Sequence, residues 1–151
     1  MIKIIMEKKQ LAQLNIAKMV GVNINDPIML DFVAQLDEVN GSAESSEGFV
    51  WRLKDESGNA TDLNPYDDVQ LIVNMSVWEN LEALERFVFT GQHLDVMRRR
   101  REWFQRFGKA SMVLWWIPEG HIPTLEEANE RLAFLQTNGA TADAFDFKHK
   151  F

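Results

Sequence analysis

The stretch LIVNMSVWENLEALERFVFTGQHLDVMRRRREWF, residues 71–104, decides how the chain is read. Its first part alternates. Leu71, Val73, Met75 and Val77 fall on one side, and Ile72, Asn74, Ser76 and Trp78 on the other, so residues 69–78 are expected as a strand. The period then changes. Asn80 is a candidate N-cap, Glu82 and Glu85 suit the positive end of a helix, and Leu81, Leu84 and Val88 form its apolar stripe. Gly91 marks a break, after which a further helical run is expected over 93–107.

Working outward, residues 10–17 alternate loosely, with Leu11, Gln13, Asn15 and Ala17 on one face and Ala12, Leu14 and Ile16 on the other, and read as a first strand. Asp26-Pro27 opens a helix, since Asp accepts from a free amide and Pro tolerates the first helical position. That helix carries Met29, Phe32, Val33, Leu36 and Val39 and fades near Asn40-Gly41. Residues 49–54 read as a second strand, with Phe49, Trp51 and Leu53 pointing one way and Val50, Arg52 and Lys54 the other. A polar loop over 55–68 follows. Residues 110–117, with the Trp115-Trp116 pair, read as a fourth strand. Thr124 and Glu127 form a capping box, Leu125, Ala128, Leu132 and Leu135 an apolar stripe, and Gly139 a C-terminal stop.

The order β-α-β-β-α-(α)-β-α is an α+β pattern, a ferredoxin-like βαββαβ with extra helices, in one domain over 1–151. Helices cover one face of such a sheet. Tryptophans on both faces therefore predict a homodimer, two sheets closing as a dimeric α/β barrel around a hollow. The alternative is that the C-terminal helix covers the second face within one chain.

Composition narrows the function. The chain has 151 residues, a formal net charge of −7 and no cysteine. The acidic balance argues against nucleic-acid partners, which require a cationic footprint. The missing thiols remove disulfides and Cys nucleophiles and suit a reducing, cytoplasmic setting. The apolar patch at the start is too short for a signal segment, and no run reaches the length of a membrane span. Gly-rich phosphate loops and the G-x-S-x-G elbow are missing, which disfavours nucleotide chemistry and serine hydrolysis.

The polar residues that interrupt apolar strands are the candidate ligand pocket: Gln13 and Asn15 on the first strand, Arg52 on the second, and Asn74 and Ser76 on the third, beside Trp78 and Trp115. Each is equally explained as a solvent-facing or loop-bonding strand residue. His93, near the end of the second helix, is the candidate catalytic residue, as acid, base or ligand, against the plainer role of helix capping or packing. His121 and His149 are explained by their turn and tail. The three histidines lie too far apart for a ligand motif, and no metal site is expected. Four consecutive arginines, residues 98–101, fan around a helix, so they cannot all face one ligand.

The segments AQLNIA (12–17), GFVWRL (48–53), VNMSVW (73–78), His93 with RRRREWF (98–104), and LWWIP (114–118) with HIPT (121–124) together resemble a bacterial family of unknown function. The likeness covers residues 11–147. It implies membership of the dimeric α/β-barrel superfamily, beside the antibiotic-biosynthesis monooxygenase domains. That superfamily includes cofactor-free oxygenases of polycyclic aromatic compounds, small isomerases and haem-degrading proteins. The resemblance implies a small apolar or aromatic ligand and no cofactor, with a cofactor-independent monooxygenase or isomerase leading; it carries over no catalytic residue, and in that leading reading His93 would be the base. Non-catalytic haem or ligand binding and a purely structural or regulatory dimer are the alternatives. Against haem degradation, Phe87 stands where those members carry a helix Trp, and His93 comes a turn early.

Overall fold

Strand β1 (Lys9–Lys18) is the axis of the computed structural model, which describes residues 8–54 and 68–151. It pairs antiparallel on one side with β3 (Leu71–Trp78) and on the other with β4 (Met112–Pro118), while the short β2 (Phe49–Arg52) extends the sheet beyond β3. The order β2-β3-β1-β4 is that of the ferredoxin-like α+β fold. Five α-helices accompany it among the described residues: α1 (Leu30–Glu44), α2 (Leu81–Val88), α3 (Gly91–Arg98), α4 (Arg100–Trp103) and α5 (Leu125–Asn138). The expected polar loop lies outside the described residues but for its last member, Asp68, as does the apolar start of the chain.

Local chemistry sets the element ends. Asp26 takes the amides of Ile28 and Val22, at 3.1 and 3.0 Å, and starts a 3-10 turn, Pro27–Met29, that leads into α1. The helix runs past Asn40-Gly41 to Glu44, because one glycine weakens a helix without breaking it. Asn80 Oδ1 accepts from the amide of Ala83 at 2.8 Å, as its place before α2 predicts. The run expected over 93–107 is broken instead. Phe104 turns extended, and Gln105 donates its amide to Lys18 O at 2.8 Å while Val20 N donates to Trp103 O at 2.7 Å. Pairing with the end of β1 overrides helical propensity there.

The two faces of the sheet have different covers. On one, Ala12, Leu14, Val73, Met75, Val77, Val113, Trp115 and Ile117 pack with Ala128, Leu132 and Leu135 of α5. On the other, Leu11, Trp78, Leu114 and Phe145 pack with Ala43 of α1 and with Ala83, Leu84 and Val88 of α2. After α5 the chain rounds the β4 edge, where Leu114 and Phe145 exchange backbone hydrogen bonds of 2.8 and 2.9 Å. Trp115 is 0% exposed within a single chain, roofed by α5, and Trp78 on the second face is buried with Ala43 of α1 and Ala83 of α2, so tryptophans on both faces do not by themselves call for a second subunit. The second face is covered only in part, since Asn15 and Asn74 on it stay exposed.

One strand departs from simple alternation. The register shifts between Phe49, opposite Trp78, and Trp51, opposite Val77. This bulge at Val50 puts Phe49 on the α2 side, against Trp78, and leaves Trp51 and Leu53 on the α5 side. The expectation that Phe49, Trp51 and Leu53 share a face is corrected accordingly.

Candidate functional site

Gln13, Asn15, Arg52, Asn74, Ser76 and Trp78 do meet on one face of the sheet, the one that α1 and α2 cover. Asn15 stands opposite Asn74, and Gln13 opposite Ser76. Gln13 Nε2 donates to Asn74 Oδ1 at 2.6 Å and to Ser76 Oγ at 2.8 Å, and the Trp78 indole donates to the same Ser76 oxygen at 2.9 Å. Two donors fill both lone pairs of the hydroxyl, so its own proton remains to be given away. Asn74, its oxygen engaged, has its amide NH2 left over. Gln13 and Ser76 are buried, whereas Asn15 and Asn74 are exposed. Arg52, opposite Ser76, is turned toward Glu44 of α1 at 2.7 Å.

Trp115 does not belong to this group. Strand alternation puts it opposite Ala12, on the α5 side, where its indole donates to Glu127 Oε2 at 2.8 Å. Trp116 is the member of the pair on the face with Leu11 and Phe145. Glu127 Oε1 also bonds His121 at 2.6 Å, so the carboxylate of the expected capping box is spent on the tryptophan and the histidine, while Thr124 still caps the Glu127 amide.

His93 lies behind an aromatic wall. Phe87 stacks on Trp78 at 5.3 Å and meets the His93 ring at 4.9 Å, so two rings separate the imidazole from the polar sheet residues. His93 lines a cleft of about 240 Å³ between the end of α1 and the α2–α3 junction. Ser42, Ser46 and Glu47 form one wall; Arg86, Phe87, Thr90 and Gln92 form the other. Gly48 fixes the spacing of these walls. It has φ of +85°, and a Cβ there would sit 2.5 Å from Ala83 Cβ, so the turn after Glu47 presses directly on α2. Thr90 spends its hydroxyl on Arg86 O and leaves the first turn of α3 without a side-chain cap.

One nitrogen of the imidazole is held by the backbone. Nδ1 lies 3.1 Å from the Val88 carbonyl, which only accepts, so Nδ1 carries the proton and Nε2 the lone pair. Burial lowers the His93 pKa below its ordinary 6.5 and outweighs the opposing carbonyl bond. The ring is thus neutral at physiological pH.

Sequence reading did not find Ser42, Ser46, Glu47, Arg86, Thr90 and Gln92; the Gly91 break beside His93 was the only signal of a junction. The cleft does not suit haem. It is smaller than the ~300–1,000 Å³ typical of drug-sized ligands and too small for a porphyrin, and its walls carry Ser42, Ser46, Glu47 and Arg86. Among the described residues no group of three or more His, Asp or Glu could hold a metal ion, and no helix is long and apolar enough to cross a membrane. Of the four arginines, Arg99 pairs with Asp31 and Glu102 at 3.1 and 2.8 Å and lies over Trp103 at 4.7 Å, a structural role.

A family described as Domain of unknown function (DUF3291) matches residues 10–151. The chain belongs to that family. This DUF3291 protein superposes on PA3566 of Pseudomonas aeruginosa with a TM-score of 0.51 at 13% identity, over 77% of this chain and 99% of that one. A conserved protein of Methanosarcina mazei Go1 gives 0.51 at 6% identity, over 74% and 93%. SnoaB, described as a cofactor-independent oxygenase from Streptomyces nogalater, is further off in shape, at 0.49 with 15% identity over 78% and 97%. Identities this low establish the ferredoxin-like fold alone. No curated protein matches the DUF3291 chain in sequence.

Proposed function

We propose that the protein binds a small aromatic compound of one or two rings in the α1–α2–α3 cleft and removes a proton from it with His93, as a cofactor-independent monooxygenase or isomerase does. The observation that carries this reading is the imidazole itself: neutral, anchored through Nδ1 to Val88 O, with Nε2 unspent on a residue that lines the cleft. Such a base works near neutral pH without a charged partner. Phe87 offers its ring to an aromatic substrate, backed by Trp78.

The test uses 4-nitrophenol, whose anion is yellow and whose neutral form is not. Near pH 7 the lone pair of Nε2 should accept the hydrogen bond of the neutral phenol and so lower the anion band, and His93→Gln should not. An equal change with both proteins would sink the reading. We further propose a homodimer, supported by the exposed apolar group Val22, Ile28, Leu30 and Val33 around the start of α1. Light scattering that returns a single-chain mass would end that proposal.

A further inference from the structure

The cleft holds one cation and one anion that do not pair with each other. Arg86, on α2, and Glu47, on the α1–β2 turn, line opposite walls, and neither has an ion-pair or hydrogen-bond partner for its charged group among the described residues. Opposite charges facing one space would normally close on each other or be solvated separately. Here the contact of Gly48 with Ala83 limits how the turn can shift on α2, and it holds the walls at their spacing. Ala83 and the Phe87 ring give the same cleft an apolar lining.

From this arrangement we infer that the ligand is a zwitterion, an aromatic α-amino acid or a close analogue. Its carboxylate faces Arg86 and Gln92, its ammonium group faces Glu47 and Ser46, and its ring rests on Phe87. A planar guanidinium takes a carboxylate through two parallel hydrogen bonds. Ser46 donates its hydroxyl to Ser42 O at 2.8 Å, so its oxygen lone pairs are left for an ammonium proton. A simple anion would be repelled by Glu47, and a simple amine by Arg86. The inference rests on the cleft being the ligand site, as proposed above, and adds the class of ligand.

The experiment is calorimetric titration with L-phenylalanine, 3-phenylpropionate, which lacks the amine, and 2-phenylethylamine, which lacks the carboxylate. L-Phenylalanine should bind in the millimolar range or better, and each truncated compound about tenfold more weakly. Arg86→Gln should weaken L-phenylalanine and 3-phenylpropionate and tighten the amine; Glu47→Gln should weaken L-phenylalanine and the amine and tighten 3-phenylpropionate. Both side chains are exposed, so the variants should melt with the wild type. Equal binding of all three compounds, or none by L-phenylalanine, overturns the zwitterion. If the His93-dependent 4-nitrophenol colour change survives that result, the cleft stands as the site and only the ligand class falls; if the colour change fails as well, both fall.

Discussion

The Ser76 hydroxyl holds two donors at once, the Trp78 indole at 2.9 Å from two residues along the same strand and the Gln13 amide at 2.8 Å from the neighbouring strand. One small side chain thereby orients the Trp78 ring and the amide that fixes Asn74. Ser76→Ala should leave two buried N–H groups without an acceptor and cost about 1–3 kcal/mol in urea unfolding. A loss below a few tenths would show that water or another group replaces the hydroxyl.

Gly48 and Gly41 should respond with opposite sign to the same substitution. Gly48→Ala places a methyl against Ala83 at a positive φ and should destabilise by about 1–3 kcal/mol. Adding Ala83→Gly should return part of that loss, and a double-mutant cycle measures how much. Gly41 lies inside α1 with nothing near its missing Cβ, so Gly41→Ala should stabilise by about 0.5–1 kcal/mol. Equal melting temperatures for the two variants would contradict the packing described at α2.

His93 makes stability depend on pH. Its folded pKa lies below the unfolded value of 6.5, so the unfolded chain binds the proton more readily. Stability is therefore full above about pH 6.5, falls as the pH drops through that value, and levels off below the folded pKa. His93→Gln should flatten this part of the stability curve, leaving the carboxylates to act at lower pH. A slope unchanged in the variant would show that another group is responsible.

Glu127 should matter for the core although it sits at the start of a surface helix. Glu127→Ala removes the acceptor of the fully buried Trp115 indole and should cost about 1–3 kcal/mol. Glu127→Gln keeps an acceptor oxygen and should cost less. The Trp fluorescence of the Ala variant should change, and an unaltered spectrum would count against the contact.

Much of the fold was legible because alternation is a geometric constraint. The two-residue periods of 10–17 and 69–78 became β1 and β3, and the caps at Asn80 and Thr124 hold. Alternation also told Trp115 from Trp116, but not which face each takes. That depends on α5 packing over β1 and β4, a contact between distant segments. The bulge at Val50 and the extended turn at Phe104 likewise arise from tertiary pairing that outweighs local preference. For the site, the polar strand positions share a face, and Trp115 does not. The cleft itself was hidden, because its two walls come from segments about 40 residues apart, Ser42 to Glu47 and Ala83 to His93, that no periodicity connects.

The central place of β1 has a consequence for synthesis. Its neighbours are residues 71–78 and 112–118, so a growing chain releases β1 long before either hydrogen-bonding edge has a mate. Leu11, Leu14 and Ile16 must wait through most of translation for their cover, and that interval, more than the finished molecule, is when this sequence is open to aggregation.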